Sequence, residues 1–296
     1  MRGTLRMNFS GTPLEQEYER VTRRLLTRQR RAPLVEAPPP EGYPADVLAL
    51  CARNWSRRMR QEHDAAAVFA QLVPQFMAAG APLDVKMALL RSAMDELYHA
   101  ELCGRLATWM GGVAEVPAEL EPEGPAEHDA DVPPDEVALR NLLFVGCLSE
   151  TIAVALLTEE RVHCTDPVVQ PVLRQLAADE TLHARLGWIW LRRQWPGLDT
   201  AARARTVDYL RLALGWYEAC MEAATPPEPL HPSTIEAAMR LGFADTTRCR
   251  DAFRQTMQEV ILPQFEAIGL PARACWRDRR RGDVAGRLTL QPTGAA

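Results

Sequence analysis

Two stretches of the chain carry residue types able to do chemistry together: Asp95-Glu96-Leu97-Tyr98-His99 and Asp179-Glu180-Thr181-Leu182-His183. Within each, a Glu and a His stand three residues apart, so on a helix both side chains leave from one face. A carboxylate and an imidazole aimed in one direction form a metal-ligand pair. A single Glu-x-x-His says little in a chain with 39 acidic residues and six His, where chance produces one. Two copies, each with an acid upstream on an otherwise apolar stripe, say much more.

The elements that must position these pairs are helices. A stripe of Trp55, Met59, Glu62, Ala66, Phe69, Val73 and Phe76 steps by three and four, and Glu62 is its only acid. Pro74 predicts a kink or an end near Val73. A second helix over about 84–110 places Leu89, Ser92, Glu96, His99, Cys103, Leu106 and Met110 on one face, and Gly111-Gly112 stops it. An acidic, Pro-rich connection over 116–134 leads to a third helix, roughly 135–160, with Leu139, Leu143, Gly146, Glu150, Ala153 and Leu157 inward. Asp166-Pro167 predicts the start of a fourth, with Asp as N-cap, whose inner face holds Val169, Val172, Leu176, Glu180, His183, Gly187 and Trp190.

The sequence divides into a basic arm and Pro-rich linker over 1–44, the dimetal bundle over 45–195, additional helices over 196–270, and a poorly ordered tail over 271–296. Within the arm, 13–31 reads as a charged helix ending in Arg23–Arg31, better suited to a solvated element than to nucleic acid in a chain of net charge −5 and pI near 5.8. In the third segment, helices are expected over Thr200–Glu222 and over 244–267, the latter broken by Pro263. Ala, Leu, Arg and Glu dominate, which favours an all-α protein. Seven scattered Cys without a Cys-x-x-Cys pair read as reduced thiols of a cytoplasmic protein. The most apolar window, Leu142–Leu157, is too short to span a bilayer and has Glu150 at its middle, so no membrane partner is expected.

Each half of the bundle is a helical hairpin that offers a Glu and then a Glu-x-x-His. Glu62 precedes Glu96 by 34 residues, and Glu150 precedes Glu180 by 30. Packed antiparallel, the hairpins bring four carboxylates and two imidazoles to the middle of a four-helix bundle. Four carboxylates in a dry core would repel one another or take up protons, and two divalent cations cancel their charge. Hard oxygen ligands with imidazole suit two iron ions, or manganese or a mixed pair, while the lack of thiolates argues against structural zinc.

This pattern over residues 45–195 resembles the ferritin-like di-iron carboxylate superfamily, in its oxygen-activating form with a twin Glu…Asp-Glu-x-x-His motif. The resemblance implies an all-α, ferritin-like four-helix bundle with additional N- and C-terminal helices. It implies Glu96 and Glu180 as bridging ligands, Glu62, His99, Glu150 and His183 as terminal ligands, and Asp95 and Asp179 as partners that orient the imidazoles. Some N-oxygenases of that family add a third His where this chain has Leu176. The expected function is oxidation of a small organic substrate with dioxygen, served by an electron-donor protein, in a chain that pairs as a homodimer. The rival readings are ferroxidase or iron handling, a peroxidase, or a non-enzymatic metal-stabilised bundle. Gly146 and Cys147 are candidates to line an oxygen pocket; Ser92 and Ser149 read as packing residues, and His63, His128, His163 and His231 as surface or capping residues.

Overall fold

A computed structural model describes residues 2–6, 38–119, 128, 131–223 and 230–279. The charged segment over 13–31 lies outside the described residues, as do 280–296.

Helix α1 (Ala45–Ala78) begins directly after Pro44 with Asp46 in its first turn, and α2 (Leu83–Trp109) begins after Pro82 with Asp84 in its first turn. A carboxylate there complements the unpaired N–H groups of a helix start. The turn between them passes through Gly80 at φ 63°, a left-handed conformation open to glycine. Helix α3 (Pro134–His163) is α-helical over Pro134–Leu142, widens to a π-helix over Leu143–Ser149, and returns to α geometry over Glu150–His163. Helix α4 (Val169–Gln194) starts after Asp166-Pro167; the Asp166 carboxylate accepts from the N–H groups of Val168 and Val169 at 2.8 and 3.1 Å, so Pro167 precedes the helix instead of opening it.

These four helices form the bundle, and every residue of the four predicted stripes is buried. The helical hairpins α1–α2 and α3–α4 pack on one another, leaving two apolar clusters with the titratable residues between them. One cluster holds Val47, Trp55, Met59, Leu102, Leu106 and Leu173; the other holds Phe69, Phe76, Leu89, Phe144, Trp188 and Trp190.

Four further helices close the ends and one side: α5 (Thr200–Ala223), α6 (Pro232–Arg240), α7 (residues 246–268) and α8 (Ala272–Arg277). Helix α6 plugs the first cluster, where the Trp55 indole N–H donates to the carbonyl of Leu241 at 3.1 Å. His231 caps it by accepting from the Ser233 N–H, as a capping residue should. A short antiparallel ribbon pairs β1 (Arg2–Arg6) with β2 (Glu115–Glu119) beside the all-α body.

Four expectations need correction. Of the kink or end expected near Val73, the end does not occur, and helix α1 runs on to Ala78: Pro74 and Ala70, whose carbonyl loses its partner, are both exposed, so water can satisfy that carbonyl while buried Phe69, Leu72, Val73 and Phe76 hold the final turns. Pro263 does not break α7 either, because a π-helical turn over Met257–Ile261 precedes it. Residues 272–277 of the expected tail form α8, with Ala272 and Cys275 buried and Arg279 held by Glu218 of α5 at 2.6 Å. The apolar window of α3, expected to be too short for a bilayer, lies in a helix of 30 residues that is long and apolar enough to cross one; 72% of that window is buried against the rest of the fold.

Candidate metal centre

One helix supplies each part of the site. Glu62 comes from α1, Glu96 and His99 from α2, Glu150 from α3 at the point where the π-helix gives way to α geometry, and Glu180 and His183 from α4. All six are buried. They fall into two overlapping sets whose donor atoms lie within 4.8 Å of one another: Glu62, Glu96, His99 and Glu180, and Glu96, Glu150, Glu180 and His183. Glu96 and Glu180 belong to both.

The imidazoles turn the same nitrogen toward the carboxylates. Nδ1 of His99 stands 3.2 Å from Glu180 Oε1, 3.4 Å from Glu96 Oε2 and 3.9 Å from Glu62 Oε2. Nδ1 of His183 stands 2.9 Å from Glu180 Oε2, 3.0 Å from Glu96 Oε1 and 3.7 Å from Glu150 Oε2.

The opposite ring nitrogens meet the two Asp side chains in a crossed arrangement. Nε2 of His99 is hydrogen-bonded to Asp179 of the other motif at 3.1 Å, and Nε2 of His183 approaches Asp95 at 3.6 Å, an electrostatic contact too long for a hydrogen bond. Asp179 also accepts from the Gln175 amide at 2.7 Å, and Asp95 from Arg91 Nε at 2.8 Å.

The buried acids and imidazoles of the cluster shift one another's proton affinities. Burial pushes the Glu62 and Glu150 carboxyls well above their usual range, and the neighbouring Glu96 and Glu180 charges push them further. Burial opposes the charged form of both imidazoles, yet the surrounding acids outweigh it: Asp179, Glu180 and Glu96 hold His99 well above its usual value, and Asp95, Glu150, Glu180 and Glu96 do so for His183. Glu180, which burial would raise, is instead held well below its usual value by His183 and His99.

The residues present fit a pair of metal ions. Glu96 Oε2 and His99 Nδ1 are buried without a hydrogen-bond partner inside the cluster, and buried polar atoms in that condition are uncommon unless something else satisfies them. The donors are oxygen and imidazole nitrogen, the set that suits first-row divalent ions of intermediate hardness.

A recess of about 20 Å³, room for roughly one water, opens beside the cluster on the α1–α3 side. Its lining combines Glu62, Glu96, Glu150 and Glu180 with Arg58, Ala65, Ala153, Leu156 and Leu157, all from the four bundle helices. Ala65 and Ala153 lie one turn beyond Glu62 and Glu150, and these short side chains leave room at the carboxylates. Gly146 and Cys147 do not line this recess. Gly146 is where α3 meets α4: a Cβ on it would stand 2.7 Å from the Gly187 Cα, so the two glycines let the backbones touch. Cys147 is buried in the second apolar cluster, and burial pushes its thiol well above its usual range.

The sequence reading missed one constituent, Arg58. Its guanidinium is buried and grips Glu160 of α3 through both terminal nitrogens, at 2.7 and 2.5 Å. The available signal was its position one turn before Glu62.

No protein-family model and no curated protein sequence matches the chain. Among solved structures, the chain is similar to "Protein 19 with aldehyde deformylating oxidase activity from Synechococcus", at 18% identity and a TM-score of 0.48, over 80% of this chain and 95% of that one.

Proposed function

We propose that Glu62, Glu96, His99, Glu150, Glu180 and His183 hold two metal ions, iron before manganese or a mixed pair, and that the protein uses dioxygen to oxidise a small organic substrate. The observation that carries this reading is the convergence of two donor sets sharing Glu96 and Glu180 at one buried point. Bound there, two iron ions would supply dioxygen binding and the electrons for its reduction.

The chain's own residues do the rest. Glu96 and Glu180 serve both sets, Glu62 and His99 complete one, and Glu150 and His183 complete the other. The Asp179 bond keeps the His99 ring with Nδ1 turned inward and fixes which nitrogen carries the proton. Ala65, Ala153, Leu156 and Leu157 set apolar side chains next to the carboxylates, where an organic substrate would meet them. Repeated turnover needs an electron-donor protein, and the seven free cysteines suit a reducing compartment such as the cytoplasm.

The test is metal analysis with the optical spectrum before and after exposure of the reduced protein to oxygen. Iron at two per chain and oxygen consumption with a reductant are expected, with loading lost in Glu96→Ala and His183→Ala. A protein that takes up no iron refutes the site, and normal loading in both variants refutes the residue assignment. Assembly into a hollow shell of many subunits, with iron turnover and no organic oxidation, would replace the oxygenase reading with iron storage.

A further inference from the structure

We propose, on the reading that the six ligands hold two metal ions, that Arg91 and Gln175 are positioning residues that make the two halves unequal, the His99 half binding its ion more tightly than the His183 half. The repeated motif extends further back than Asp95 and Asp179. Four residues before each Asp, on the same face of its helix, stands a side chain that reaches it: Arg91 in Arg91-Ser92-Ala93-Met94-Asp95 and Gln175 in Gln175-Leu176-Ala177-Ala178-Asp179. The repeat keeps the position and changes the charge.

The geometry of the two halves differs accordingly. Arg91 Nε donates to both carboxylate oxygens of Asp95, at 2.8 and 2.9 Å. Asp95 is buried, so the guanidinium offsets its charge and engages the oxygens that His183 would need. His183 Nε2 is left 3.6 Å from Asp95 and is buried without a hydrogen-bond partner. Gln175 carries no charge. Its amide donates at 2.7 Å to Oδ2 of Asp179, the same oxygen that meets His99 Nε2 at 3.1 Å. An amide fixes that carboxylate against the ring without offsetting its charge.

A carboxylate bonded to the outer nitrogen of a ligand imidazole makes the inner nitrogen a stronger donor, and losing such a partner lowers metal affinity about 10–100-fold. His99 has that partner. His183 faces one that is too distant and is offset by a cation. The other donors do not reverse the difference, because each half has one Glu of its own and both share Glu96 and Glu180. The His99 half is therefore the tighter, and an iron ion there is the harder to reduce.

Manganese(II) binding to two full-length variants measures each half alone. Glu150→Ala with His183→Ala keeps the His99 half; Glu62→Ala with His99→Ala keeps the other. The His99 half is expected to bind about tenfold more tightly. Gln175→Arg added to the first variant should weaken binding about tenfold, and Arg91→Gln added to the second should strengthen it. Residues with a merely structural role would weaken binding in both, so the opposite signs are the signature. The Arg91 side chain is 33% exposed, so Arg91→Gln keeps the test decisive even where Gln175→Arg does not fold. The iron-loaded wild type gives a second readout: two reduction steps, the His183 half first, drawn together by Arg91→Gln. Equal affinity in the two half-site variants, or weaker binding on Arg91→Gln, overturns the proposal and leaves the dimetal site standing. Manganese(II) bound by neither variant nor wild type overturns both.

Discussion

Gly187→Ala is the substitution whose effect the geometry determines most directly. A Cβ at 187 would stand 2.6 Å from the Gly146 carbonyl carbon, 2.7 Å from its Cα and 2.8 Å from the Cys147 nitrogen. All three are backbone atoms of the π-helical segment, so no side chain can rotate away. Ordinary contact begins near 3.4 Å, and α3 and α4 must therefore part by about 0.8 Å. Overpacking of this kind costs about 1–3 kcal/mol, against which Ala regains up to about 1 kcal/mol of helix propensity over Gly. Three backbone contacts under 3.0 Å put this site in the upper half of that cost, so the net loss expected is about 1–2 kcal/mol, a five- to thirty-fold change in the folding equilibrium. Because Glu150 lies one turn from Gly146 and His183 one turn from Gly187, the separation widens the 3.7 Å approach of Glu150 to His183 and should weaken the metal in that half of the site first. Denaturant melts of the metal-free protein and stepwise metal titration measure both effects. Gly197→Ala is the matched control, since nothing lies within 4 Å of a Cβ there. Wild-type stability in Gly187→Ala, or equal loss in Gly197→Ala, would show that the helix contact does not carry the site.

Asp179→Asn should lower metal affinity about 10–100-fold by releasing the His99 ring, while Asp95→Asn, whose partner is 3.6 Å away, should do less; competition with a chelator measures both, and the reverse order would defeat the argument. In the metal-free protein Glu62, Glu150, His99 and His183 all hold protons more tightly than their unfolded values of 4.5 and 6.5, so their contribution to stability is complete below those values and fades as pH rises through the raised folded values. Glu180 acts in the opposite sense, its contribution being present above 4.5 and lost as pH falls through its lowered value. With four groups against one, metal-free stability should decline on going from mildly acidic to alkaline pH; melts across that range test it, and a steady rise would contradict the proton count. Arg58→Met leaves Glu160 charged and buried and should cost about 3–5 kcal/mol, whereas Arg58→Met combined with Glu160→Met should recover most of it; a double variant as unstable as the single would mean the pair is not what holds α1 to α3 there.

The four bundle stripes and the six converging residues were legible because each depends on one helix at a time. Step and residue type are local, so Glu62 on an apolar face can be read without knowing what it faces. Features that depend on two elements meeting were not legible. The π-helix over Leu143–Ser149 left no trace because Leu142–Leu148 is buried all round, and a face that is apolar everywhere has no period to break. The Arg58–Glu160 pair joins α1 to α3 across 102 residues and has no local signature. Gly146 was read as possible pocket lining because its partner was unseen, although Gly187 stood in the facing stripe, also one turn from a ligand candidate.

The crossed contacts between Asp and His change what the repeated motif is. Read along the chain, Asp-Glu-x-x-His looks like a self-contained unit used twice. In the fold, Asp179 holds the His99 ring, Asp95 faces His183, and Glu96 and Glu180 each belong to both donor sets. Neither motif therefore completes a site alone: its His takes its orienting acid, and its Glu half its neighbours, from the other hairpin. Ordering one half fixes Glu96 and Glu180 for the other, so the second ion should meet carboxylates already in place and bind with less ordering to pay. Metal titration of wild type should then be positively cooperative, and Asp179→Asn should reduce that cooperativity as well as affinity. Two independent, equal binding steps in wild type would mean that the hairpins act as separate sites despite the shared carboxylates.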